Sequence, residues 1–465
     1  MTFYFQEISW IDPKAVVSVF EKDDFVCLLH STMPEGADIK VQRLGRYSFL
    51  SANPFMKITA ENSQVFVDDR AVVGNPFDVI KEKMTDYTDY NVVHNTDLPP
   101  MQGGAMGWFG YDVGLYLEDI PTCKNPVRPY GDMAVGLYDW IISFDHETKQ
   151  TFVMANGITG DSKGVVSDIV TKISGVAIKP LVKPVSSDGI STFFTPEEYQ
   201  GAVQKVIDYI YAGDVFQANM TQPFQVKFSG ATPLETYLYL SDINPAPFSG
   251  YMDCGSVQIA SSSPERFLTV NHNGLVETRP IKGTRPRGVT PEQDKFYADE
   301  LLASAKDRAE NVMIVDLLRN DISKVCGAGT ISVPAVCGLE SYQSVHHLVS
   351  VVRGVLTADN NALDLLKACY PGGSITGAPK IRAQEVIAEL EIMQRGVYCG
   401  ALGYIGFSGF MDTNITIRTM AIQDGVATFN AGGGIVSDSN PVAEYEETLT
   451  KARKMFQVFG YDITN

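Results

Sequence analysis

A lysine among prolines and glycines is the first candidate for chemistry in this sequence. Lys282 lies between Ile281 and Gly283 in segment 279–288, which carries four cationic side chains. The prolines and glycines predict an irregular, anion-binding loop, although a solvated basic loop would show the same pattern. A partly buried lysine loses its proton more easily, because desolvation disfavours the ammonium. The neutral amine can then act as a nucleophile or base.

The second candidate is a carboxylate on a predicted helix. Within residues 309–321, Glu310 shares a helical face with Met313, Ile314 and Leu317. A carboxylate on an apolar face must be paired or must bind a metal ion. Exposure near the start of the helix, or pairing with Arg308, is the simpler explanation of this segment alone.

Three consecutive glycines form the third candidate. Gly432, Gly433 and Gly434 are predicted to form an open segment whose backbone N–H groups converge on an anion. Asn440 and Pro441 follow as the predicted cap and first residue of a helix.

That helix is predicted to carry two carboxylates and a lysine along one stripe. Glu444, Glu447 and Lys451 fall at positions i, i+3 and i+7. Two carboxylates one turn apart suit a hard divalent cation such as Mg²⁺. A solvent-facing stripe with a Glu447–Lys451 ion pair would show the same spacing.

Two other polar residues are weaker candidates. His347 lies in an apolar, strand-like run, where a lone histidine is more often a core residue than a catalyst. Arg418 alternates with Ile417 and Thr419, so we expect it to project from one face of a strand. Its partner there would be a substrate carboxylate or a structural salt bridge.

The elements that must position these residues divide near 174–194, a segment rich in Pro, Ser and Gly. Upstream, short β-rich runs indicate antiparallel strands, and downstream the mixture of helices and strands indicates an α+β fold. One helix is predicted in detail. Thr195 caps it, Pro196 begins it, Glu198 completes a capping box and Gly213 ends it.

Composition disfavours several classes of function. The formal net charge of the 465 residues is −18, which opposes nucleic-acid binding. No apolar stretch approaches the length of about 18 residues that a transmembrane helix needs. The first residues also lack the basic region of a signal peptide. Seven dispersed cysteines without a CxxC pair indicate reduced thiols and a cytoplasmic location.

Taken together, these segments resemble the chorismate-utilising enzyme family. The resemblance is dense over about 195–460 and looser over 1–150, and it rests on seven ordered motifs. The motifs are GDVFQAN at 213–219, SPERF at 263–267, PIKGTRPR at 280–287, KDRAEN at 306–311, HLVS at 347–350, PGGSITGAPK at 371–380 and the glycine-to-glutamate segment 432–447.

The resemblance implies an α+β fold built as a two-sheet antiparallel sandwich with flanking helices, like that of anthranilate synthase component I. The active site would lie in a cleft between the sheets. An N-terminal β-rich region would cover 1–175, and a chorismate-binding catalytic region would cover 190–460.

The implied activity depends mainly on one residue. Anthranilate and isochorismate synthases of the family usually carry Ala after Pro-Ile, whereas aminodeoxychorismate synthases carry Lys, as this chain does at Lys282. The implied function is amination of chorismate to 4-amino-4-deoxychorismate, the precursor of 4-aminobenzoate and folate. The alternative is anthranilate synthase component I, which makes anthranilate and pyruvate. An isochorismate- or salicylate-type enzyme and a non-catalytic metabolite sensor are more distant possibilities.

Roles for individual residues are implied as well. Lys282 would be the nucleophile, Glu265 the general acid for the departing hydroxyl, and His347 the family's active-site histidine. The implied substrate-binding residues are Gly283, Thr284, Tyr398, Arg418, Gly432, Gly433, Gly434 and Lys451.

Mg²⁺ is the implied cofactor. Glu310 and Glu447 match the family's magnesium carboxylates, and Glu444 lies close by in the sequence. The ion would bridge to the ring carboxylate of chorismate and withdraw electrons from the diene.

Two partner proteins are expected. The sequence contains no Gly-x-Cys-x-Gly glutaminase motif, so ammonia would come from a separate glutamine amidotransferase subunit. A separate lyase would convert the product to 4-aminobenzoate. Some relatives hold tryptophan in the N-terminal half. The segments 28–31 and 244–248 fall where that pocket would lie, although the first matches poorly and tryptophan binding stays open.

Overall fold

Two twelve-stranded antiparallel sheets form the framework of the molecule. The computed structural model describes residues 2–32, 43–88, 95–123, 128, 130–342 and 345–462. In spatial order the first sheet contains β1 (Tyr4–Ser9), β10 (Gln150–Ala155), β9 (Trp140–Asp145), β3 (Tyr47–Ser51), β2 (Cys27–His30), β13 (Phe248–Asp253), β14 (Gln258–Ser263), β23 (Thr419–Gln423), β24 (Val426–Ile435), β12 (Gln217–Ser229) and β11 (Val185–Thr192), with β20 (Gly377–Ala378) paired to β12.

The second sheet has its own order. It contains β17 (Ile281–Pro286), β19 (Val345–Val355), β16 (Leu275–Thr278), β15 (Arg266–Val270), β22 (Met411–Ile415), β21 (Ala401–Gly406), β7 (Gly104–Phe109), β8 (Met133–Tyr138), β4 (Met56–Glu61), β5 (Gln64–Val67) and β6 (Arg70–Val72), with β18 (Ser332–Ser341) paired to β19. β17 is therefore an edge strand of this sheet.

Helices cover the outer faces of the sheets. The α-helices are α1 (Pro13–Val17), α2 (Pro76–Thr88), α3 (Ser162–Ile173), α4 (Pro196–Ala212), α5 (Pro233–Ile243), α6 (Pro291–Ala303), α7 (Ala305–Ser323), α8 (Ala362–Cys369), α9 (Lys380–Leu390) and α10 (Pro441–Val458). Short 3₁₀ turns lie at Arg43–Gly45, Tyr111–Tyr116 and Gly373–Ile375. No helix in the described ranges is long and apolar enough to cross a membrane.

Local signals place the helix ends where the sequence predicts them. The Thr195 and Glu198 side chains form the reciprocal capping box of α4, and Gly213 ends that helix at a φ of 87°. Asn440 accepts two backbone N–H bonds at the start of α10. Each such cap contributes about 1 kcal/mol, so these boundaries are set largely by local sequence.

Hydrophobic cores hold the layers together, and three of them show how. One packs helices α3, α5 and α10 against the first sheet, and another packs α2 and α8 against the second sheet. The third joins the two sheets, because it contains Phe49 and Ile259 of the first sheet together with Trp108 and Leu402 of the second. This arrangement confirms the predicted α+β fold of two antiparallel sheets with flanking helices.

The two predicted regions of the chain build this sandwich together. β2 pairs with β13 and β7 pairs with β21, so strands from 1–175 and 190–460 are hydrogen-bonded neighbours in both sheets. The predicted boundary segment contains no helix or strand from 176 until β11 begins at Val185. The division of the chain into regions 1–175 and 190–460 stays a prediction.

Candidate active site

The lysine segment is an edge strand, so the predicted irregular loop is wrong. Ile281–Pro286 forms β17, which pairs with β19. The register shifts between Lys282, which opposes Leu348, and Thr284, which opposes His347. Gly283 is therefore the extra residue of a β-bulge, and its φ of 79° is one that glycine adopts without strain.

The bulge changes where the lysine points. In a regular strand, Lys282 and Thr284 are two residues apart and would project from the same face. Because they oppose adjacent residues of β19, they instead project from opposite faces. A Cβ at position 283 would lie 2.9 Å from atoms of Asp307 and Leu301, so only glycine fits between β17 and the helices above it.

Lys282 is paired with the candidate metal carboxylate. Its Nζ lies 2.7 Å from Oε1 of Glu310, and the exposed fractions of the two side chains are 14% and 17%. Glu310 lies on α7, which confirms the predicted helix, and its partner is Lys282 rather than Arg308. Burial acts to raise the pKa of Glu310, but the charge and hydrogen bond of Lys282 outweigh it and lower the pKa.

Gln217 is a site residue to which the sequence analysis assigns no role. Its Nε2 donates to Oε1 of Glu310 over 3.0 Å. The side-chain amide oxygen Oε1 of Gln217 is buried and has no hydrogen-bond donor among the described residues. The only available signal was its place in the GDVFQAN motif at 213–219.

Glu265 is a buried carboxylate in the short connection from β14 of the first sheet to β15 of the second. Ser374, another residue without an assigned role, donates to Glu265 Oε1 over 3.1 Å. The Ser374 carbonyl also accepts from Lys282 Nζ over 3.4 Å, which links the two predicted catalytic residues. Burial raises the pKa of Glu265 to about 7, against the lowering effects of Lys282, Ser374 and Lys451.

The three consecutive glycines lie in a strand rather than in an open segment, and their binding of an anion stays a prediction. Gly432, Gly433 and Gly434 lie in β24 and pair with residues of β12. Their function is to leave space. A Cβ at Gly434 would lie 1.9 Å from Gln217 Nε2 and 3.1 Å from Glu310 Oε1.

The neighbouring glycine borders the carboxylates of α10. A Cβ at Gly433 would lie 3.2 Å from Glu444 Oε2, 3.4 Å from Glu447 Oε1 and 3.5 Å from Lys451 Nζ. Lys451 Nζ lies 2.7 Å from Glu447 Oε1 and donates to the Gly432 carbonyl over 2.9 Å. The predicted stripe is therefore present, together with the Glu447–Lys451 pair.

Glu444 is more buried than Glu447. Ser439 donates to its Oε1 over 2.7 Å. Burial raises the pKa of Glu444, the hydrogen bond from Ser439 lowers it, and the neighbouring Glu447 charge raises it further.

The carboxylates fit Mg²⁺ in kind. Carboxylate oxygens are the ligands that this ion prefers. Those of Glu310 and of the α10 pair border two adjacent glycines, which place no side chain between them. Within the described ranges, however, no three or more His, Cys, Asp or Glu residues are arranged to hold a metal ion. Glu310 and Glu447 are each engaged by a lysine instead.

The second group of candidates surrounds His347. Its Nδ1 lies 2.9 Å from Thr284 Oγ1. Burial lowers the pKa of His347 to about 4, the nearby Arg418 charge lowers it further, and a hydrogen bond with the Gly283 backbone opposes them. The imidazole is therefore neutral near pH 7.

Arg418 is not on a strand as predicted. It lies in the connection between β22 and β23 with a φ of 51°. Burial lowers the pKa of its guanidinium. No ion pair of Arg418 with a carboxylate is present among the described residues, so the alternative of a structural salt bridge is not supported.

Tyr398 is the remaining predicted substrate-binding residue. It occupies the turn that leads into β21, where its side chain is buried in the core of the second sheet. Burial raises its pKa well above the usual value.

The two segments considered for tryptophan lie together. β2 pairs with β13, and a cavity of about 60 Å³ is lined by Leu29, His30, Pro247 and Phe248, among other residues. Tryptophan binding stays open.

Comparison with known proteins agrees with this geometry. Residues 35–457 match the family described as chorismate binding enzyme, and the chain belongs to that family. It is 39% identical over 417 residues to aminodeoxychorismate synthase component 1 of Escherichia coli (strain K12), covering 89% of each chain. It is 36% identical to anthranilate synthase component 1 of Aquifex aeolicus (strain VF5), covering 96% of this chain and 92% of that protein.

A solved structure extends the similarity to three dimensions. Anthranilate synthase component I from Streptococcus pneumoniae TIGR4 superposes with a TM-score of 0.80 at 33% identity. The match covers 88% of this chain and 92% of that one. The fold predicted from resemblance to anthranilate synthase component I is therefore confirmed.

Proposed function

We propose that this chain is the chorismate-binding component of an aminodeoxychorismate synthase. It converts chorismate and ammonia to 4-amino-4-deoxychorismate. The observation that carries the proposal is Lys282, whose amine lies between the Glu310 carboxylate and the Ser374 carbonyl that leads to Glu265. The similarity to a protein of that name in Escherichia coli supports it.

The lysine supplies a covalent route to the product. The neutral Lys282 amine adds to ring carbon 2 of chorismate as the 4-hydroxyl leaves, and both double bonds of the ring diene shift to connect the two positions. Ammonia then adds at carbon 4, both double bonds shift back and the lysine amine departs. The new amino group ends where the hydroxyl had been.

Glu265 is placed to protonate the departing hydroxyl, which leaves as water. A general acid works best when its pKa is near the working pH, and burial raises the pKa of Glu265 to about 7. The hydrogen bond from Ser374 fixes the orientation of the carboxyl group. A carboxyl group with a raised pKa keeps its proton to higher pH than an exposed glutamate does.

Substrate carboxylates need cationic partners, and the chain supplies them. Arg418, half-buried and without a carboxylate partner among the described residues, binds one carboxylate of chorismate. Glu310 and Glu447, with Glu444 beside them, would hold Mg²⁺. When bound, the ion neutralises the ring carboxylate and withdraws electrons from the diene.

The proposal includes two separate proteins. A component 1 implies a second component, and we assign it as the glutamine amidotransferase that releases ammonia. A lyase that acts on the product is the second protein. We place the reaction in the cytoplasm, where seven free thiols would stay reduced.

Anthranilate synthase component I is the second candidate. It is favoured by 36% identity over nearly the whole chain to the Aquifex aeolicus protein and by the TM-score of 0.80 to the Streptococcus pneumoniae structure. That reaction adds ammonia at carbon 2 and eliminates pyruvate, and it has no step that uses the Lys282 amine.

The deciding experiment identifies the product. The purified chain is incubated with chorismate, Mg²⁺ and ammonium salt at alkaline pH, and products are separated by chromatography and weighed by mass spectrometry. 4-Amino-4-deoxychorismate supports the proposal, and anthranilate with pyruvate overturns it.

A matched pair of variants tests the lysine. We expect Lys282→Ala to lose most product formation while it stays folded, because one strand-edge side chain is removed. Lys163→Ala removes an exposed lysine of α3, a helix that packs against β1 and β10, and should leave product formation unchanged. An unchanged rate in the Lys282 variant would remove the covalent step.

A further inference from the structure

One carboxylate oxygen carries two of the bonds that organise the site. Oε1 of Glu310 accepts from Lys282 Nζ at 2.7 Å and from Gln217 Nε2 at 3.0 Å. An sp² oxygen has two lone pairs, so both are used. Most of the surface of both charged side chains is buried, so water screens the Lys282–Glu310 pair only weakly.

A divalent cation bound to the Glu310 carboxylate would lie close to the positively charged ammonium of Lys282. The ion lies about 2.1 Å from its oxygen ligand, and the two oxygens of a carboxylate are about 2.2 Å apart. Lys282 Nζ lies 2.7 Å from Oε1 of Glu310. A cation bound to Oε2 would therefore lie at most about 7 Å from that nitrogen. At an effective dielectric constant of about 20, repulsion between +1 and +2 charges disfavours joint occupancy by far more than tenfold.

Lys282 has a second hydrogen-bond acceptor nearby. Its Nζ already lies 3.4 Å from the Ser374 carbonyl, on the side of the buried Glu265 carboxyl. The ion pair between Lys451 and Glu447 differs in exposure, because these side chains are 45% and 50% exposed. It borders Gly433, whereas Glu310 borders Gly434. Solvent screens that pair, so it opposes a cation less strongly.

We propose that the Lys282 ammonium and a divalent cation compete for the Glu310 carboxylate, and that binding of the cation releases Lys282 toward Ser374. The proposal rests on the proposed function and adds an order to it. While Lys282 is paired as an ammonium, its nitrogen has no free electron pair with which to attack carbon. The nearby +2 charge favours loss of a proton from the released ammonium to water, so the cation must bind before the neutral lysine can react.

Binding of Mn²⁺, a divalent probe seen by electron paramagnetic resonance, tests the competition without turnover. The full chain is titrated at one pH in the absence of chorismate. Removing the competing charge in Lys282→Gln should tighten Mn²⁺ binding about tenfold or more, since a hydrogen bond to a charged group is worth about 1.5 kcal/mol or more.

Matched variants identify the cause. Lys163→Gln removes an exposed lysine from α3, a helix that packs against β1 and β10, and should change Mn²⁺ affinity by no more than about twofold. Glu310→Gln should weaken binding strongly. Equal or weaker Mn²⁺ binding by Lys282→Gln, with circular dichroism showing native folding, overturns the proposal.

Linkage gives a second test, because two ligands that weaken one another do so reciprocally. Brief acetylation of the wild-type chain, followed by peptide mass spectrometry, should show more modification of Lys282 when Mn²⁺ is present. The increase should be absent in Glu310→Gln. Unchanged or reduced modification of Lys282 with Mn²⁺ overturns the competition.

The same measurements separate this proposal from the proposed function. If Glu310→Gln binds Mn²⁺ as wild type does while the wild-type chain still makes 4-amino-4-deoxychorismate, the competition fails and the amination stands. If Lys282→Gln tightens Mn²⁺ binding but wild type makes anthranilate, the competition stands and the assigned product is wrong.

Discussion

The buried Glu265 carboxyl makes a quantitative prediction about stability. Its pKa is raised from 4.5 to about 7 in the folded chain, chiefly by burial. Between these values the unfolded chain has released the proton and the folded chain keeps it, so rising pH favours unfolding. The stability associated with this proton is fully present below about pH 4.5 and is lost as pH rises through 7.

The magnitude follows from the shift. About 2.5 pKa units at about 1.4 kcal/mol each correspond to about 3 kcal/mol of unfolding free energy. Glu265→Gln keeps the shape and an acceptor for Ser374 but cannot ionise. Relative to wild type, we expect the variant to be of similar stability at about pH 4.5 and about 3 kcal/mol more stable at about pH 8.5.

Urea unfolding of metal-free wild type and variant at both pH values measures the effect, with fluorescence and circular dichroism required to give coincident transitions. Glu446→Gln, which changes an exposed carboxylate of α10, is the control. Its difference from wild type should be the same at both pH values within about 0.5 kcal/mol. A Glu265→Gln difference that does not grow with pH would refute the argument from burial.

Further predictions concern packing and substrate binding. Gly434→Ala places a Cβ 1.9 Å from a buried amide nitrogen, and we expect a loss of about 1–3 kcal/mol by urea unfolding. Gly201→Ala, in α4 with open space around it, should instead gain about 0.5–1 kcal/mol. Arg395→Leu leaves the buried Glu391 carboxylate without its counter-charge, and we expect the free energy of unfolding to fall by about 3–5 kcal/mol. Arg418→Gln should raise KM for chorismate in steady-state assays without lowering stability.

The helices could be predicted because their signals are local. Thr195 and Glu198 cap α4 through atoms three residues apart, and Asn440 caps α10 in the same way. A sequence shows such neighbours directly. The stripe of α10, including the Lys451–Glu447 pair one turn apart, was predictable for the same reason.

The strand β17 could not be predicted from the same kind of signal. Its prolines indicate a loop, because proline cannot donate to a strand ladder. At the edge of a sheet that loss costs little, and Pro286 lies opposite Val345 at the end of an edge strand. The partner strand begins about sixty residues later, so the pairing that makes this segment a strand is not visible locally.

The glycines also suggested an open segment where the structure has a strand. Gly433 and Gly434 suggest backbone freedom, but they lie in a central strand. They are glycines because side chains from elsewhere, including Gln217 and Glu444, occupy the space where a Cβ would project. Those side chains come from residues that are distant in sequence or on another element. Sequence alone therefore showed that the position was special without showing why.

The partner of Glu310 shows most clearly what only tertiary structure supplies. A carboxylate on an apolar helix face requires a counter-charge or a metal ion, and that requirement follows from the sequence. Its identity does not, because Arg308 is near in sequence whereas Lys282 lies on another element. In the observed pair, the proposed nucleophile Lys282 is bound to a carboxylate oxygen of Glu310, the proposed metal ligand. Two roles that the sequence suggests separately thus become mutually exclusive states of a single carboxylate, and the order of binding follows from that exclusion.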